Sequence, residues 1–364
     1  MRIRQKIQEM LRPQLIRGRR ITLTDYRITR YQHGSPTDPG LFVDRALAWT
    51  GDVVASIIDN KNPGATPGQY NSQSQLFAYT PTRRLMTAQG YYGTLGWTYD
   101  ANGNRLTETA NGVTSTYAYP VTSNRLSSVT PSGQSARNFA YDAAGNIVSD
   151  SRSGALGMSF EYDVEGRLSK AWQTNALSQG AVYAYDAQDR LASRTVTSGA
   201  TTTTTLYIHD LDNHVIAETD AAGVTRREYI WLNDIPIAVI DGADTATPTM
   251  YSVHTDHLGR PARMVAQNWA SVWDVIYSPF GAVSAIFDST TKLDMRFPGQ
   301  WFQMESGLAY NWHRHYDASL GRYVQPDPIG YVGGRSLYGY VGQNPLAHVD
   351  PDGQIVKWPK VGVD

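Results

Sequence analysis

The chain has 364 residues, 41% hydrophobic and only 18% charged, with a net charge of -1, 32 Gly, 23 Tyr, 9 Trp and no Cys. So many aromatics at near-zero net charge exclude intrinsic disorder, and the lack of cysteine excludes a disulfide framework, cysteine-ligated zinc, iron-sulfur clusters and thiol nucleophiles. The length suits two ordinary domains or one long all-β domain.

Residues 1–20 carry seven Lys/Arg against Glu9, with Ile3, Ile7, Met10, Leu11 and Leu15 at helical spacing broken by Pro13. Such a segment suits an anionic membrane or nucleic acid, yet most charged runs are solvated faces. No further basic patch with interleaved aromatics follows. The reading is a poorly defined basic segment over 1–40 and no nucleic-acid partner. The start shows no signal-peptide core. The most apolar stretch, 229–240, is interrupted by Asn233, Asp234 and Pro236, which predicts no transmembrane segment.

From residue 41 to 250 an aromatic-centred unit recurs every 20 to 24 residues: Tyr79-Thr80, Tyr99-Asp100, Tyr119-Pro120, Tyr141-Asp142, Tyr162-Asp163, Tyr185-Asp186 and a degenerate His209-Asp210. A polar turn follows each, then an Arg-Leu pair or its relative: Arg84-Leu85, Arg105-Leu106, Arg125-Leu126, Asn146-Ile147, Arg167-Leu168 and Arg190-Leu191. Gly103, Gly145 and Gly166 stand at one offset from their Asp, where a type I turn needs a left-handed residue. Asp189 and Asn213 take that place elsewhere, as side chains that tolerate positive φ. The flanks alternate, as in Leu95-Gly-Trp97-Thr-Tyr99, which is the period of strands with one buried face. Each unit is therefore one hairpin. Hairpins cannot bury an apolar face alone, so the array must pair edge to edge into a long sheet that curls. Over about residues 51–229 these features resemble the YD repeats of the RHS and teneurin family, which implies hairpins spiralling into a β shell.

Residues 251–353 carry longer signatures: His254-Thr-Asp256-His257-Leu-Gly259-Arg260-Pro261, Tyr277-Ser-Pro-Phe-Gly281, Phe297-Pro-Gly299-Gln300, Tyr316-Asp317-Ala-Ser-Leu-Gly321-Arg322-Tyr323, Asp327-Pro-Ile-Gly330, Leu337-Tyr338-Gly-Tyr340 and Asp350-Pro-Asp-Gly353. In this order they resemble the RHS repeat-associated core domain. That resemblance implies an all-β shell ending in the core, and an intramolecular aspartic-type protease with Asp327 and Asp350 as catalytic carboxylates. The scissile bond would be Gln354-Ile355. Two carboxylates forced together cannot both ionise, so one keeps a proton as general acid while the other activates water. A guanidinium is expected nearby, with Arg322 and Arg335 as candidates. A single Asp-Pro-x-Gly is also an ordinary β-turn sequence.

Two features depart from the family pattern. Gln354 replaces the usual Leu, and Asp352 adds a carboxylate expected to disturb the shared proton of the pair. Residues 354–364 form a tail too short for a folded toxin. A truncated shell without its toxin is the expectation.

His254 with His257, and His313 with His315, read as packed histidines rather than metal pairs, and no metal or cofactor is expected. The preferred reading is a scaffold of the polymorphic-toxin kind that encloses or displays a polypeptide. Its partners would be that enclosed or attached polypeptide and a secretion-machinery component. By family resemblance it would sit in the cytoplasm before export, or be secreted or cell-surface. One alternative is the self-cleaving protease; another is a cell-surface carbohydrate-binding or adhesion β protein.

Overall fold

The computed structural model describes residues 19–24, 27–34, 41–61, 73–152 and 157–359. Most of the basic N-terminal segment and residues 360–364 of the tail lie outside them. Among the described residues there is no α-helix. Twenty-four strands, β1 (Arg19–Thr24) to β24 (Val283–Ser289), form one antiparallel meander in which each strand pairs with the next.

The repeat sets the local geometry. A register shift falls at Tyr79, Tyr99, Tyr141, Tyr162, Tyr185 and His209, so every unit but that of Tyr119 carries a bulge where its aromatic stands. Bulges bend the strand and raise its twist, which curls the array. In the turns that carry an Asp after the aromatic, its carboxylate holds the chain that follows. Asp186 Oδ1 accepts from the amides of Gln188 (2.9 Å) and Arg190 (3.0 Å), and Oδ2 accepts from Arg190 Nε at 2.7 Å. The turn closes on a left-handed residue, with φ of 90° at Gly103 and 60° at Asp189.

The aromatics link one unit to the one before. Tyr99 donates its hydroxyl to the Leu85 carbonyl (2.7 Å), Tyr119 to Arg105 (3.0 Å), Tyr141 to Leu126 (3.0 Å), Tyr162 to Ile147 (2.8 Å) and Tyr185 to Leu168 (2.7 Å). The accepting residue is also the one whose side chain enters the core: Leu85, Leu126, Ile147 and Leu168 are buried. This corrects the reading of Arg105-Leu106 as an Arg-Leu pair. Asn104 bonds back to Asp100 as Arg190 does to Asp186, so Arg105 occupies the buried position and Leu106 is exposed.

The turn chemistry continues past residue 250. Asp256 accepts from Leu258 N and Arg260 N at 3.0 Å each and pairs with Arg260 Nε at 2.8 Å. The curl brings distant segments together, for His33 Nε2 lies 3.0 Å from the Thr255 carbonyl.

A second sheet of four strands, β25 (Trp301–Gln303), β26 (Leu308–Asn311), β27 (Arg314–Asp317) and β28 (Arg322–Tyr323), packs against this wall. Trp301 meets Tyr207 and Tyr229 edge-on at 6.0 and 5.1 Å. The Tyr310 hydroxyl accepts from Leu191 N at 2.9 Å, and Tyr338 donates to the Gly145 carbonyl at 2.8 Å. Both the hydrophobic contacts and these hydrogen bonds fix the C-terminal sheet to the repeat units.

Candidate functional site

Adjacent strands of the small sheet build the site. Register pairs Asn311 with Arg314 and Tyr316 with Tyr323, so neighbouring strands present Asn311, Arg314 and Tyr323 together. Arg314 Nη2 lies 3.0 Å from Asp327 Oδ2 and 3.2 Å from Asp350 Oδ2, with all three side chains buried. Its Nε donates to the Gly353 carbonyl and its Nη1 to Leu337 O at 3.3 Å. The guanidinium lies 3.6 Å above the centre of the Tyr323 ring, so the cation is held by carboxylates, carbonyls and a π face.

Asp350 receives further donors. Tyr323 gives its hydroxyl to Oδ2 at 2.7 Å, and Asn311 Nδ2 bridges the Tyr323 oxygen (2.8 Å) and the Asp350 carbonyl (2.9 Å). Asp350 Oδ1 accepts from the Gln354 amide at 2.9 Å, the same i to i+4 contact that the repeat turns use. Asp327 is anchored through its amide to Leu337 O (2.8 Å) and through Oδ1 to Ile329 N (3.1 Å).

The backbone of residue 354 therefore lies between the two carboxylates. Its amide is on Asp350, and its carbonyl faces Asp327 across Gly333. A Cβ built on Gly333 would stand 2.8 Å from the Gln354 oxygen and still closer to Asp327 Oδ2, so less than twice that distance separates the two oxygens.

Burial pushes the Asp327 carboxyl up from its ordinary value against the opposing pull of Arg314. Burial also raises Asp350, reinforced by Asp352 and opposed by Arg314 and Tyr323. A proton is thus favoured on this pair in a range where free aspartates have lost theirs. Asp352 moves the other way. Burial disfavours its charge, but Lys357 Nζ at 2.6 Å and the Ile355 amide outweigh that and hold it below the usual range. Its carboxyl is also hydrogen-bonded to that of Asp350, so the two titrate together, with the proton favoured on Asp350 and the charge on Asp352, as the added carboxylate led one to expect.

The other expected residues lie as follows. Arg322 donates to Tyr119 Oη (3.1 Å) and Asn124 O (2.7 Å), outside the carboxylate pair, and Arg335 is exposed. The guanidinium between the carboxylates is that of Arg314, hidden in sequence between His313 and His315. Those histidines diverge: His313 Nδ1 meets the Asp352 carbonyl at 2.9 Å, whereas buried His315 faces Gln325 Oε1 at 3.3 Å. Asp210, Asp212 and His214 place oxygen and nitrogen atoms within 4.8 Å of one another. Asp210 there accepts from the Asp212 and His214 amides at 2.9 Å each, which is the repeat turn again.

The family model for the teneurin YD-shell matches residues 57–333. The uncharacterized protein YibJ of Escherichia coli (strain K12) is 38% identical over 116 residues, 32% of this chain and 49% of YibJ. The toxin protein Tse5 of Pseudomonas aeruginosa is 35% identical over 109 residues, 30% of this chain and 8% of Tse5. The crystal structure of TcdB2-TccC3-Cdc42 superposes on 92% of this chain and 18% of its own, at 16% identity and a TM-score of 0.73, which is a likeness of fold. The chain thus spans half or less of the proteins that it matches.

Proposed function

Because the chain belongs to the teneurin YD-shell family, we propose that it forms part of a β shell around a polypeptide and severs that polypeptide at the Gln354-Ile355 bond. The observation that carries this reading is Arg314 bridging Asp327 and Asp350 while the amide and carbonyl of residue 354 face those two carboxylates. Asp327, in its protonated form, would donate to the Gln354 carbonyl oxygen, and Asp350 would take a proton from the attacking water. Arg314 holds both carboxyl groups at one nitrogen and offsets the charge of whichever is ionised. Tyr323 and Asn311 fix Asp350 in place.

The enclosed or attached polypeptide would be whatever follows residue 354, and a secretion-machinery component would handle the assembled shell. The related toxin Tse5 supports a toxin-associated role of this kind. Intact mass of the folded chain tests the cut. Loss of the residues after 354 in the parent, with Asp327→Asn, Asp350→Asn and Arg314→Gln all remaining intact, is the expected result. A folded parent that keeps its full mass at mildly acidic and neutral pH would overturn the protease reading.

A further inference from the structure

Asp352 touches both sides of the bond assigned to cleavage. Its Oδ1 accepts from the amides of Gln354 at 3.2 Å and Ile355 at 3.3 Å, and its Oδ2 pairs with Lys357 Nζ at 2.6 Å. Its own carbonyl is engaged by His313 Nδ1 at 2.9 Å, so the residue is fixed from two directions. The segment beyond the bond is stapled back to the body as well. Val349 and Lys357 exchange main-chain hydrogen bonds of 2.9 and 2.7 Å, and the Trp358 ring packs 4.6 Å from His348.

The nitrogen of Ile355 is the leaving atom of the hydrolysis. We propose that Asp352 is the anion that receives this leaving amine, holding its N–H before the cut and pairing with the new α-ammonium afterwards, so that the downstream peptide stays docked.

The inference rests on the reading of Gln354-Ile355 as the severed bond. In that step water adds its oxygen to the Gln354 carbon and the C–N bond breaks. Both protons of the water, relayed through the carboxylates, pass to the nitrogen, leaving residue 354 as a carboxylate and Ile355 as an ammonium ion. Lys357 and the Ile355 amide keep the Asp352 carboxyl ionised, and so able to accept the cation. The other titratable groups around it are Asp350, Asp327 and His313.

The test uses the full chain, gel filtration after cleavage, and mass spectrometry of both the shell fraction and the small-molecule fraction. In the parent the peptide beginning at Ile355 co-elutes with the shell at neutral pH. It is released as the pH rises above about 8, where an α-ammonium loses its proton. In Asp352→Asn, cleavage slows by about tenfold, from loss of one charge-assisted contact to the leaving group, and the peptide elutes free at every pH. An Asp352→Asn chain that is cut at the parent rate and retains its peptide overturns the inference while leaving the protease reading intact. So does a parent whose peptide stays bound independently of pH. A parent that is never cut overturns both, and intact mass before filtration separates that result from the others.

Discussion

The guanidinium carbon of Arg105 lies 4.5 Å from the centre of the Phe280 ring, joining an early hairpin of the shell to the C-terminal core region. Arg105 stands where equivalent units bury Leu85, Ile147 or Leu168, and its side chain is buried as theirs are. Trp97 and Tyr117 complete an aromatic surround at 5.7 and 5.6 Å, and Glu108 pairs with it at 3.0 Å. Nε and Nη2 have no hydrogen-bond partner. The position thus combines large packing with an incompletely satisfied cation. Arg105→Ala should cost about 2–4 kcal/mol, mostly from the lost packing and cation–π contacts. Arg105→Leu should recover most of that, because Glu108 is partly exposed and keeps its bond to Tyr117. Urea unfolding of both variants checks this. Equal destabilisation by Ala and Leu would mean that the charge, not the volume, matters there.

The repeat tyrosine and aspartate should differ in weight. Tyr185→Phe removes one neutral hydrogen bond to Leu168 O and should cost about 1 kcal/mol. Asp186→Ala removes two amide bonds and an Arg190 pair, leaving those donors unmatched, and should cost about 2–3 kcal/mol. Burial works against the Asp186 charge, but these donors outweigh it and lower its pKa from 3.8. Its stabilisation is therefore complete above pH 3.8 and is lost as pH falls further. A parent-minus-variant stability difference that does not shrink below pH 4 would contradict that assignment.

His315 acts in a higher window. Burial lowers its pKa from 6.5 to about 3, with Gln325 pulling the other way and the Tyr183 and Tyr310 rings packed nearby. The folded state holds it neutral while the unfolded chain protonates it. Stability is fully present above pH 6.5 and declines as pH falls towards 3, by up to about 1.4 kcal/mol per pH unit. His315→Phe should flatten the curve of urea midpoint against pH over that span. Superimposable slopes for parent and variant would refute a neutral buried imidazole.

What could be read from sequence follows from which interactions are local. The hairpins were legible because Asp-x-x-Gly turns and alternating strands encode themselves within a few residues. The position of Arg105 was not, since its register depends on Tyr119 reaching back to its carbonyl. Asp327 and Asp350 stood out through two copies of a turn motif. Arg314 did not, because nothing within β27 distinguishes it from Arg322; its role arises only where that strand meets residues 350–354. Nothing in the sequence around Gly333 marks its place beside Asp327 and Gln354, for the same reason.

Gly333 offers the sharpest test of the site, because its effect can be separated from both charge and backbone strain. It caps the short 3₁₀ turn Gly330–Val332 with φ -73° and ψ -14°, a conformation open to alanine. Gly333→Ala should therefore add no backbone strain, and its cost, about 1–3 kcal/mol, should come from overpacking alone. Its added methyl, however, would fall against Asp327 Oδ2 and 2.8 Å from the Gln354 carbonyl oxygen, in the space between the proposed acid and the bond proposed to be cut. One of the two must move by an ångström or so, and displacement on that scale costs about a hundredfold in rate. The expected outcome is a folded, uncut chain on the time scale in which the parent is fully processed, with a urea midpoint lowered only by that overpacking. Exposed Gly334 beside it is the control: its φ of 149° strains any side chain but nothing lies within 4 Å of its Cβ. Gly334→Ala should lose some stability and keep cleavage. Parent-like cleavage in Gly333→Ala would show that the Asp327 carboxyl does not need to approach the Gln354 carbonyl from that side.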